Sequence, residues 1–128
     1  MIHTSPSTPK KILVIDDNAG ILFSTKEALK FKKYDVLTVD TYSGIDDIIF
    51  IAPDLILLDI SLVGYNGGDI ARELKNDPKT KHIPIVILTA YHNAEELAKE
   101  AGADDFLSKP FELEALWDMA AKHTGQKV

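Results

Sequence analysis

Four short apolar runs constrain this chain more than any other feature: Ile12–Ile15, Val36–Val39, Leu55–Leu58 and Ile85–Leu88. The first is short, β-branched and bounded by charge, which suggests a strand buried on both faces, and the other three read as further strands. A weaker fifth run, Phe106-Leu107, lies between Asp104-Asp105 and Ser108-Lys109. Between the runs the apolar period changes to that of a helix. The pattern predicts helices over Ile21 to Phe31, from a Ser43 cap to about Ala52 before Pro53, and over Gly68 to Lys75. It continues with Ala94 to Ala101, capped by Asn93 and stopped by Gly102, and ends with about Glu112 to Lys122. Strands alternating with helices make a parallel sheet with right-handed crossovers. The expected class is therefore α/β, a doubly wound five-stranded parallel sheet with five helices.

In such a sheet, ligands bind beyond the carboxyl ends of the strands. The first run ends in Asp16-Asp17 and the third in Asp59. The fourth ends in Thr89 and the fifth in Lys109, followed by Pro110. Singly, each has an ordinary reading. Asp17 or Asn18 can cap a helix, Asp59 can serve a turn, Thr89 suits a strand and Lys109 can be a solvated charge. Together they are different, because carboxylates gathered at one edge repel one another and demand protons or a cation.

The rest of the composition narrows the chemistry by exclusion. With 14 Lys+Arg against 20 Asp+Glu the net charge is −6, and Arg72 is the one arginine, a poor basis for direct nucleic-acid binding. There is no cysteine, which removes disulfides, thiolate metal sites and cysteine nucleophiles. No apolar run approaches the roughly 20 residues of a membrane span, and MIHTSPSTPK has no secretory apolar stretch. A cytoplasmic domain with no membrane partner is expected. Residues 1–9 read as a flexible tail, 10–123 as the domain and 124–128 as a second tail. His3, His82, His92 and His123 have no ligand spacing and read as surface residues. Trp117 follows Leu113 by one turn and reads as core or as a partner contact, with core favoured.

A few carboxylates with open positions suit Mg²⁺ better than zinc or copper. A neighbouring carboxylate can accept a phosphoryl group, and such a transfer needs charge neutralisation and alignment above all. The Lys109 ammonium is available for the first, and the Thr89 hydroxyl can donate to a phosphoryl oxygen.

The stretches KILVIDDN (11–18), PDLILLDI (53–60), IPIVILTA (83–90) and GADDFLSKPF (102–111) resemble the receiver domains of two-component response regulators. The resemblance covers roughly residues 10 to 123 and implies a flavodoxin-like sheet of order 2-1-3-4-5. It implies Asp59 as phospho-acceptor, with Mg²⁺ (or Mn²⁺) held by Asp16, Asp17, Asp59 and the Ser61 carbonyl. Thr89 and Lys109 would contact the phosphoryl group, Thr89 and Phe106 would form the switch, and the Lys109-Pro110 bond would be cis. The switch aromatic is a phenylalanine here where tyrosine is common, and an inward ring is expected before phosphorylation. The donor would be a histidine kinase or histidine phosphotransfer protein. Residues 93–122, the fourth helix to the fifth, would present a changed surface to a downstream protein. The resemblance implies a signalling domain rather than a turnover enzyme.

One departure stands out. Many receivers carry Met-Pro three and four residues after the acceptor, where this chain has Leu62 and Val63. Two rival readings remain. Haloacid-dehalogenase-type phosphatases also form an aspartyl phosphate, but from an Asp-x-Asp pattern at the first strand, whereas Asp16 and Asp17 are adjacent. A degenerate receiver would keep the fold as an interaction module only, against which the intact Asp16, Asp17, Asp59, Thr89 and Lys109 argue.

Overall fold

Each continuous apolar run becomes one parallel strand of a single sheet. The computed structural model describes residues 8–126. In chain order the elements are β1 (Lys11–Ile15), α1 (Ala19–Phe31), β2 (Asp35–Val39), α2 (Ile45–Ile51) and β3 (Leu55–Asp59). A small hairpin, β4 (Ser61–Leu62) and β5 (Tyr65–Asn66), then leads into α3 (Gly67–Lys75). The chain finishes with β6 (Ile85–Thr89), α4 (Ala94–Ala101), β7 (Asp105–Ser108) and α5 (Leu113–Thr124). The five-stranded sheet runs β2-β1-β3-β6-β7, all pairs parallel, which is the expected 2-1-3-4-5 order once the hairpin is set aside.

Residue alternation splits the sheet into two buried faces. Leu13, Ile15, Ile56, Leu58, Ile85 and Ile87 pack toward α2, α3 and α4 residues such as Ile48, Ile70, Leu74 and Ala98. Ile12, Val14, Leu55, Leu57, Val86 and Leu88 pack toward α1 and α5 through Leu29, Leu116 and Ala120. The inner strands are aliphatic throughout because both faces are covered.

The ends of the elements show where local pattern was overridden. Asn18 caps α1 by accepting from the Ile21 N–H at 2.9 Å, and the helix starts at Ala19, two residues before the expected Ile21. Ser43 does not cap α2; Gly44 holds the N-cap position at φ 114, a region open to glycine, and no side chain bonds there. Asn93 stands at the N-cap of α4 without a side-chain hydrogen bond. The fifth helix runs to Thr124, the first residue of the expected second tail. Gln126 is tied in as well, accepting from the Lys10 N–H at 2.7 Å and donating to the Lys32 carbonyl at 3.2 Å. Most of the expected first tail, residues 1–7, lies outside the described residues, as do 127–128.

Candidate phosphoacceptor site

In-register parallel strands bring the charged strand ends to one edge. Ile15 pairs with Leu58, so Asp16 and Asp59 follow at the same level. Thr89 pairs with Ser108, and Lys109 is the next residue. The alternation also sorts them. Asp59 continues the Leu55–Leu57 row toward α1 and α5, while Thr89 continues the Ile85–Ile87 row toward the other face.

Asp16 is fully buried and Asp59 is 5% exposed. The Lys109 ammonium donates to Asp16 Oδ2 at 2.7 Å and to Asp59 Oδ1 at 3.2 Å. The other Asp16 oxygen, Oδ1, accepts from the Asn18 N–H at 2.9 Å. Asp17 is exposed, and its Oδ2 accepts from the Val63 N–H at 3.1 Å. One carboxylate oxygen from each of Asp16, Asp17 and Asp59 lies within 4.8 Å of the others. Three convergent hard oxygens fit a Mg²⁺-type ion.

Burial raises the Asp59 pKa above the ordinary carboxylate value, and the Asp16 charge raises it further, against the pull of Lys109 and the Ser61 N–H. Burial alone would lower the Lys109 pKa, but its hydrogen bond and charge interactions with Asp16 and Asp59 outweigh that and raise it. Lys109 therefore stays charged between two carboxylates. The Lys109-Pro110 peptide bond is cis.

Thr89 is fully buried, and its Oγ1 accepts from the Tyr91 N–H at 3.0 Å. Its hydroxyl hydrogen is thus left to donate. Ser61 Oγ donates weakly to the Tyr91 hydroxyl at 3.4 Å. Phe106 is half-buried against the α2–α3–α4 side of the core, neither fully inward nor in open solvent. Behind Asp59, α3 starts so close that a Cβ on Gly67 would collide with the Asp59 carbonyl oxygen. Asn66 caps that helix, accepting from the Gly68 N–H at 2.7 Å.

The family model for the response regulator receiver domain matches residues 12–121. The chain belongs to the receiver domain family. Among curated proteins it is similar to the phosphate regulon transcriptional regulatory protein PhoB of Pseudomonas aeruginosa, 39% identical over 122 residues, covering 91% of this chain and 53% of PhoB. It is also similar to the response regulator PleD of Caulobacter vibrioides, 36% identical over 105 residues, covering 80% of this chain and 23% of PleD. The chain thus spans about half or less of the length of these relatives. Among solved structures it resembles a CheY-like receiver domain protein from Methanospirillum hungatei, with TM-score 0.82, 26% identity, and 92% and 95% of the two chains covered. It also resembles the receiver domain of a sensor histidine kinase from Pseudomonas aeruginosa, with TM-score 0.77, 26% identity, and 93% and 100% covered; that structure holds a magnesium ion in its active site cleft.

Membership of the receiver family sets aside the haloacid-dehalogenase reading. Among the described residues no helix is long and apolar enough to cross a membrane. The reading of all four histidines as surface residues needs correction at one of them. His123 is largely buried, its Nε2 lying 3.0 Å from Asp105 Oδ2. No linear motif announces that pair, since 18 residues separate the two. His3 lies outside the described residues. Trp117 is half-buried, donating its indole N–H to the Ala28 carbonyl at 2.9 Å and stacking on Phe31. The Asp17–Val63 hydrogen bond also escaped the sequence, because its donor is a main-chain N–H.

Proposed function

We propose that this receiver accepts a phosphoryl group on Asp59 from a phosphohistidine of a histidine kinase or histidine phosphotransfer protein. The observation that carries the reading is the convergence of three carboxylates on one edge with a single ammonium between two of them. Stability gains nothing from that arrangement, whereas phosphoryl transfer needs it.

An Asp59 oxygen attacks phosphorus as the P–N bond of the phosphohistidine breaks, and the imidazole takes up a proton. Asp16, Asp17, Asp59 and the Ser61 carbonyl would hold Mg²⁺ (or Mn²⁺), which supplies charge neutralisation for the phosphoryl oxygens when bound. The magnesium in the kinase receiver's cleft supports this choice of ion. Lys109 pairs with the new phosphoryl charge in place of the Asp59 charge. Thr89 donates its hydroxyl hydrogen to a phosphoryl oxygen and shifts toward Asp59. The half-buried Phe106 ring then completes its inward move, and residues 93–122 present the altered surface to a downstream protein. The domain works in the cytoplasm, touches no membrane and binds no nucleic acid directly.

The test is incubation with acetyl phosphate, with and without Mg²⁺, followed by intact mass. The expected result is one added phosphoryl group only with the divalent ion, and none in Asp59→Asn. An unchanged mass gain in Asp59→Asn would overturn the acceptor assignment. No gain in the wild type under any condition would leave the interaction-module reading in its place.

A further inference from the structure

We infer that the Val63 main-chain N–H is the positioning group for Asp17, and that it ties the loop after the acceptor to the metal-binding edge. The inference rests on the proposed Mg²⁺ site and deepens it.

The three carboxylates are not held alike. Asp16 is clasped by Lys109 and by the Asn18 N–H, and Asp59 by Lys109 and the Ser61 N–H. Asp17 is exposed, belongs to no strand or helix, and has one recorded donor among the described residues, the Val63 N–H at 3.1 Å. An exposed Asp side chain turns freely about its side-chain torsions. Pinning Oδ2 removes that freedom and leaves Oδ1 to present to an ion. Outer hydrogen bonds of this kind orient metal-binding carboxylates.

The donor is itself rigidly placed. Ser61 pairs with Asn66 and Leu62 with Tyr65, which makes Val63 and Gly64 the two turn residues of the hairpin. The ladder therefore does not consume the Val63 N–H. Leu62 anchors one side of the turn in the core, and Asn66 fixes the other by capping α3. The Val63 side chain is 81% exposed, so its contribution is its backbone and not its packing. Gly64 has φ 80 while Val63 is outside the left-handed region, as in a type II turn, whose first central position proline fits. Proline there would delete the N–H and little else.

The experiment compares Mg²⁺ binding by calorimetry in the wild type, Val63→Ala and Val63→Pro. Val63→Ala keeps the N–H and should bind within about twofold of the wild type. Val63→Pro should bind about 10-fold more weakly, the low end for loss of such an outer contact. Equal affinity in Val63→Pro and the wild type would overturn the inference. If Val63→Pro does not fold, amide exchange without metal decides. The Val63 N–H should be protected in the wild type and lose that protection in Asp17→Ala, and equal exchange in both would overturn the inference. A wild type that binds no Mg²⁺ yet protects the Val63 N–H would sink the proposed metal site and leave the hydrogen bond standing.

Discussion

At the carboxyl edge of the sheet three carboxylates converge and one ammonium pairs with two of them, whereas at the amino edge Asp104 and Asp105 each have a cation of their own. Asp104 accepts from the Lys75 ammonium at 2.6 Å and from the Ile85 N–H at 2.8 Å. Asp105 accepts from Lys122 at 2.9 Å and faces His123 at 3.0 Å, and Asp54 accepts from the Lys11 N–H at 2.8 Å. The same residue types thus serve opposite ends. Burial would raise the Asp105 pKa, but the hydrogen bonds from His123, Lys122 and the Phe106 N–H override it and lower it. At Asp59 burial and the Asp16 charge win, and the pKa rises. The difference teaches that the amino edge is balanced for stability while the carboxyl edge keeps an excess of negative charge.

Substitutions should therefore act with different sizes and signs at the two edges. The largest effect is expected for Lys109→Met, which leaves two buried carboxylates without their cation. Urea denaturation at neutral pH without divalent metal should show a loss of about 3 kcal/mol. A loss below about 1 kcal/mol would mean that water already compensates the pair, and the contrast between the edges would fail.

Next is a change of opposite sign. Asp59→Asn removes a desolvated charge beside Asp16 while keeping the shape of the side chain, and should stabilise the fold by about 1–2 kcal/mol in the same assay. A destabilised Asp59→Asn would show that the Asp59 charge is already compensated in the folded protein.

The amino-edge counterpart of Lys109 is Lys75, which also donates to the Ile83 carbonyl at 2.7 Å. Lys75→Met should cost about 1–1.5 kcal/mol, less than Lys109→Met, because Asp104 is more open to water and retains the Ile85 N–H. Equal losses in the two lysine variants would erase the distinction.

The smallest effect is pH-dependent. Asp105 has a folded pKa below its unfolded value of about 3.9. Its stabilisation is then fully present above that unfolded value and is lost as pH falls through the lowered folded pKa. Asp105→Asn should be less stable than the wild type by about 1 kcal/mol at neutral pH. The gap should close in strongly acidic solution, and urea midpoints against pH for both proteins would show it. A gap that persists unchanged at acid pH would assign the effect to packing rather than charge.

The layered parallel sheet and the five helices were legible in the chain's periodicities, and the strand order followed from the resemblance to receiver domains. Continuous aliphatic runs such as Ile12–Ile15 and Leu55–Leu58 can be satisfied only where both faces are covered, and short runs alternating with helical periods leave few topologies. The approach of Asp16, Asp59 and Lys109 was legible for the same reason, since parallel register carries strand-end residues to one edge. Helix ends were less so. Ser43 has the right chemistry for a cap, but Gly44 takes the position because the entry to α2 needs a positive φ.

Local pattern and composition determined which residues are strands, which are helices and which charges reach the carboxyl edge. Only the tertiary structure decided how those charges are apportioned. It set Lys109 between Asp16 and Asp59, buried His123 against Asp105, left Phe106 half-covered, and handed Asp17 to the Val63 N–H. The reason is physical. Strand and helix formation depend on periodicities that a chain carries along its length, whereas ion pairing and burial depend on distances between residues far apart in sequence. Those distances, and main-chain donors such as the Val63 N–H that have no letter of their own, exist only once the chain has packed.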